Sequence, residues 1–134
     1  MAKTKTADQF GIAKNKEIDI PIELLRVTPD VDGVWFKKWI EENGEGVKVC
    51  PQYLYLVGDF EPMWDWMRFR HLPSSYIVQP LMKILKSIIY EGQKEPIKIY
   101  KDMRINTGHK RVACLAYLGA KTIKAIIVSD DTKL

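Results

Sequence analysis

The sequence predicts an α/β (α+β) fold for one small domain, and three observations carry that prediction. Pro96-Ile97-Lys98-Ile99-Tyr100-Lys101 alternates apolar and charged residues with the two-residue period of a strand. From Val112 the period changes: Val112, Leu115, Ala116 and Leu118 fit one helical face, and Gly119 supplies a C-terminal stop. Near the other end, Glu17-Ile18-Asp19-Ile20-Pro21-Ile22 alternates again as a strand.

The elements follow in order. Residues 1–16 are polar, carry Lys3, Lys5, Lys14 and Lys16, and are expected to form a flexible basic arm. The globular domain is expected over 17–134. After the first strand, Pro29-Asp30-Val31-Asp32-Gly33 is turn chemistry. Asp32 can cap a helix from Val34 to Glu42, closed by Asn43-Gly44. Gln52 to Gly58 reads as a strand, and Met63 to Arg70 as a short helix or an irregular segment after Pro62. Asp102-Met103 turns the Pro96 strand into a returning strand, Arg104-Ile105-Asn106, and Lys121 to Val128 is the last strand.

The junction Ile105 to Ala113 carries the clearest chemistry. A strand turns on Gly108 into a helix whose first turn holds His109, Lys110 and Arg111. Cations at a helix start oppose the macrodipole, so the helix gains nothing from them. An anion bound there would meet unpaired N–H groups, the dipole and the basic side chains together. Thr107, Gly108, His109, Lys110 and Arg111 are therefore the candidate phosphate-binding residues. An ordinary exposed helix start remains the alternative on pattern alone.

The run from Leu81 to Ile99, followed by Ile105 to Ala113, resembles the amino-terminal domain of the ParB family. Ser87-Ile88, Gly92, Pro96-Ile97, and Gly108 with Arg111 match that family's order and approximate spacing. The similarity covers about Val78 to Val128, and residues 30–75 form an unmatched, aromatic-rich insertion. The resemblance implies a ParB/sulfiredoxin-like domain with a mixed sheet flanked by helices. It implies a nucleotide or a nucleic acid as partner, and a nucleoside triphosphate with Mg²⁺ as a candidate ligand. Members include partition proteins, nucleases, free-serine kinases and sulfiredoxins. The box departs from both patterns at two positions. His109 stands where sulfiredoxins carry their catalytic cysteine and where partition proteins carry Glu, and Lys110 replaces the first Arg. The chain ends soon after Val128, so the resemblance implies an accessory protein of the sort phages and plasmids encode, without the helix-turn-helix and dimerisation domains of full partition proteins.

Composition fits this reading. The chain has 134 residues, 46% hydrophobic, and two cysteines, Cys50 and Cys114, which have no zinc-ligand spacing. No apolar run approaches the ~20 residues of a membrane span, and residues 1–16 lack a signal-peptide core. A reducing cytoplasm and no membrane partner are the expectation. Charge is uneven: residues 1–75 hold 10 Lys/Arg and 12 Asp/Glu, whereas 76–134 hold 11 and 5. The half that resembles the ParB domain is thus the basic half, as a nucleotide or nucleic-acid site requires.

Other residues invite chemistry. Glu95 and His109 are candidate catalytic groups, Glu95 as a base or metal ligand and His109 as a general acid or base beside a phosphate. Asp59, Glu61 and Asp65 lie close in sequence, but their spacing matches no established metal loop. Trp35, Trp39, Trp64 and Trp66 all fall in the insertion. They are expected to complete the core, with a protein-partner or base-stacking surface near Arg68, Arg70 and His71 as the alternative. Binding without turnover is the expected activity; the alternative is a metal-dependent nuclease, ATPase or kinase at the same site.

Overall fold

The computed structural model describes residues 16–28 and 33–128. The basic arm up to residue 15, the cap assigned to Asp32 and the residues after Val128 lie outside them. Within the described residues the chain is a mixed α/β protein, with five helices and a four-stranded mixed sheet. Strand β1 (Ile18–Pro21) is followed by a 3₁₀ turn (Ile22–Leu24). Four helices come next: α1 (Val34–Asn43), α2 (Pro51–Leu56), α3 (Glu61–Phe69) and α4 (Ser75–Glu91). Strands β2 (Ile97–Ile99) and β3 (Ile105–Thr107), helix α5 (His109–Tyr117) and strand β4 (Thr122–Ile127) complete the fold.

The sheet runs β1-β4-β2-β3. β4 pairs antiparallel with β1 (Ile20 opposite Ile123) and parallel with β2 (Ile97 opposite Ala125). The β2–β3 hairpin is antiparallel, with an irregularity at Lys98/Ile99. Alternation in β2 and β4 places Ile97, Ile99, Ile123 and Ala125 in the interior. Val112 to Ala116 of α5 are all buried, as are Ile77, Leu81, Leu85 and Ile88 of α4, so α5 is covered from more than one side.

Several boundaries follow local chemistry. α1 ends on Gly44, whose N–H bonds to the Ile40 carbonyl. α5 closes with paired bonds from Gly119 N–H to Ala116 and from Ala120 N–H to Leu115, with Gly119 at φ +88°. α4 begins at Ser75 and contains Pro80, an exposed residue whose missing N–H leaves a carbonyl on the solvent side.

One expected element is corrected. Gln52–Gly58 holds most of helix α2 (Pro51–Leu56) and the turn that closes it, and not a strand. The alternation Tyr53-Leu54-Tyr55-Leu56 fits a period of two, but Pro51 at the first helical position presets φ for a helix. Gly58, at φ +100°, then terminates it: Asp59 N–H bonds to Leu54 and Gly58 N–H to Tyr55.

Candidate functional site

The start of α5 is built by close approach. Gly108 is the N-cap residue that precedes the helix, at φ +112° and ψ 19°, and no side chain caps the end. A β-carbon at Gly108 would lie 2.6 Å from Ile97 Cγ2 and 2.9 Å from Ile97 Cβ. Glycine is therefore required twice, for its left-handed backbone and for its contact with β2. The N–H groups of the first turn, from His109 to Arg111, have no intrahelical acceptor. Lys110 and Arg111 follow directly.

The three basic side chains do not converge. Successive helical residues are about 100° apart, so His109 and Arg111 leave the helix in opposite directions. His109 turns to the chain after β1. The Thr28 N–H donates to His109 Nε2 at 3.3 Å, which requires that nitrogen to be unprotonated. The Thr28 hydroxyl lies 3.1 Å from the same nitrogen and 3.0 Å from the Ile105 carbonyl. Burial, reinforced by the charge of Lys110, pushes the imidazole down to about 4. At neutral pH His109 is thus an uncharged acceptor that ties α5 to the Thr28 segment.

Arg111 turns the other way, to a cleft of about 160 Å³ lined by Ser87, Gly92, Lys94 and Glu95. Its Nη2 lies 3.9 Å from Glu95 Oε1. Glu95 is exposed and sits on a loop fixed by Gln93, whose amide donates to the Glu95 and Lys124 carbonyls at 2.9 Å and accepts from Lys124 N–H. Glu95 thus reaches the site through Arg111, whereas His109 faces away from it.

A second, larger recess of about 590 Å³ lies on the His109 side, lined in part by Thr28, Lys37, Glu45, Tyr100, Arg104 and Asn106. Arg26 closes one edge with two bonds to Glu45, 2.9 and 3.0 Å, which hold the Glu45 carboxyl below its ordinary range. Arg104 lies over the Tyr100 ring at 4.6 Å and bonds to Asp102 at 2.7 Å. Asn106 donates to the Tyr100 hydroxyl, and Thr107 to Asn106. Thr28 was not among the sequence candidates: it lies 81 residues from His109, and nothing local marks it.

The insertion divides in two. Trp39, Trp35 and Trp66 stack in a row, at 5.3 and 6.0 Å, with Phe36 edge-on to Trp35 and Trp66. Trp66 is 3% exposed. Trp64 is 46% exposed and lies beside the exposed Phe60, which in turn meets the half-buried Tyr55. Asp65 accepts from Trp35 Nε1 at 2.7 Å and pairs with Arg68, so it is engaged in the stack. Among the described residues, no group of three or more His, Cys, Asp or Glu side chains gathers as a metal site. Cys50 and Cys114 are buried free thiols raised by burial to about 11 and about 12. No described helix is long and apolar enough to cross a membrane.

The fold and this junction define a mixed α/β protein with a glycine-hinged, basic helix start. No protein-family model matches the chain, and neither a curated protein nor a solved structure matches it.

Proposed function

We propose that this chain is a small ParB/sulfiredoxin-like protein that binds a phosphate-bearing ligand, a nucleotide or a nucleic acid, at the Gly108–Arg111 turn. The observation that carries the reading is the α5 start, which no side chain caps and which Gly108 seats against Ile97. First-turn N–H groups, the helix dipole and the charges of Lys110 and Arg111 all favour an anion there. The β-hairpin, helix and parallel-strand succession from β2 to β4 supports the family resemblance.

Within this reading His109 positions the turn through Thr28, and the charge is supplied by Lys110 and Arg111. A triphosphate would bring Mg²⁺ bound to its own oxygens, since the carboxylate at the turn, Glu95, is paired with Arg111. We read the function as binding without turnover, carried out in the cytoplasm by a phage- or plasmid-type accessory factor. A protein partner using the tryptophan region would meet Trp64, because Trp66 is buried and Trp35 and Trp39 stack on one another.

Calorimetry with ATP, CTP and plasmid DNA in Mg²⁺ tests the reading. Arg111→Ala should weaken binding by ~1.5–3 kcal/mol, the loss of a charge-assisted contact. Equal affinity for wild type and variant overturns the site. Hydrolysis or nicking that Glu95→Gln abolishes moves the protein to the nuclease, ATPase or kinase alternative.

A further inference from the structure

The α5 site leaves the outer ridge of α4 unused. Ile77, Leu81, Leu85 and Ile88 bury the inner face of this helix. Opposite them stand Tyr76, Gln79, Lys83, Lys86 and Tyr90, three and four residues apart and so aligned along one ridge. All five are exposed, the terminal rings to 53% at Tyr76 and 77% at Tyr90. From Ser75 to Tyr90 the helix has no Asp or Glu. Its first carboxylate, Glu91, is engaged by Lys94 and by the Ser87 hydroxyl. Arg70 lies over the Tyr76 ring at 5.6 Å and adds a cation at the amino end. The ridge rises about 21 Å between the two tyrosines.

We propose that this ridge binds single-stranded nucleic acid. Lys83 and Lys86 meet phosphates, and Tyr76 and Tyr90 offer stacking faces to unpaired bases at either end. Charge selects the partner: a ridge with two lysines and no carboxylate, in the half of the chain holding 11 Lys/Arg against 5 Asp/Glu, complements a polyanion. The rings select a single strand, since paired bases in a duplex are already stacked on one another, whereas unpaired bases stack on exposed aromatics. The proposal uses no residue of the α5 start and does not depend on the phosphate reading there.

The test is fluorescence anisotropy of the full chain with a labelled short oligodeoxythymidylate across a salt series. The double variant Lys83→Gln/Lys86→Gln should weaken binding and flatten the log–log salt slope by about 1.4, two lysines at about 0.7 each. Tyr90→Ala should weaken it about tenfold, within the range for one lost base stack. Both variants alter exposed side chains and should melt as wild type does. Affinity for ATP should be unchanged in both, which separates the ridge from the α5 start. An oligonucleotide affected by Arg111→Ala but indifferent to the ridge variants overturns the proposal, as does a wild type that binds no oligonucleotide. A duplex that outcompetes the single strand also overturns it. So does a dimer in analytical ultracentrifugation that Tyr90→Ala dissolves, since the ridge would then pair with a second copy. Ridge-dependent binding alongside a silent ATP titration supports the ridge and counts against the α5 reading alone.

Discussion

At Gly108 two constraints meet, and they can be measured separately. Gly108→Ala adds a methyl 2.6 Å from Ile97 Cγ2 and holds alanine at φ +112°. Overpacking and left-handed strain together should cost about 2–4 kcal/mol in a urea melt. Gly119→Ala is the control: φ is +88°, but the methyl meets nothing within 4 Å, so only the backbone strain of about 1 kcal/mol remains. Equal losses at the two glycines would disprove the Ile97 contact. His109 gives the fold a pH dependence of definite sign. Its imidazole titrates at about 4 in the fold and near 6.5 in the unfolded chain. Between these values the unfolded state binds more protons, so stability is full above 6.5 and falls as pH drops toward 4. The loss is on the order of 3 kcal/mol. His109→Gln should flatten thermal stability across the upper part of that window, from 6.5 to 4.5, where ordinary carboxylates contribute little. A variant whose melting temperature falls with pH as steeply as the wild type's would show that His109 is not the group responsible.

Among the elements, the aromatic insertion earns its place through α1 and α3. Trp39 and Trp35 lie four apart on α1 and extend their stack onto Trp66 of α3, while Trp39 Nε1 donates to the Val49 carbonyl at 2.7 Å. Asp65 anchors the middle ring through its indole N–H. Trp66→Ala should lower stability by ~3–5 kcal/mol, the range for a buried aromatic, and should weaken near-ultraviolet dichroism from the stacked indoles. A variant with wild-type melting would mean that the stack is dispensable for folding. Helix α2 shows how an element can be misread. A short apolar run carries strand and helix periods almost equally, and Pro51 and Gly58 decided between them.

For the whole molecule, β4 is the organising strand. It pairs with β1 from the amino end and with β2 from the basic half, so residues separated by nearly the whole described chain share one sheet. The same closure brings the segment after β1 alongside β3: Arg26 N–H bonds to Met103, Ile105 N–H bonds to Arg26, and Thr28 reaches His109. The candidate site is thus an intersection of three segments, although its basic residues are contiguous.

What sequence alone determined here is local. The alternating strands at 18–21, 97–99 and 122–127, the α1 helix and its Gly44 stop, and the glycine-hinged start of α5 follow from residue period and turn chemistry, which act over a few neighbours. The basic bias of residues 76–134 is equally a property of the chain. Only the tertiary structure decided where the side chains of the Gly108–Arg111 box point. Helical phase sends His109 and Arg111 apart, and partners 81 and 16 residues away in sequence, Thr28 and Glu95, then receive them. Those partners leave no local signal, because the sheet that brings them together forms only when long-range pairing outweighs the entropy of closing the chain.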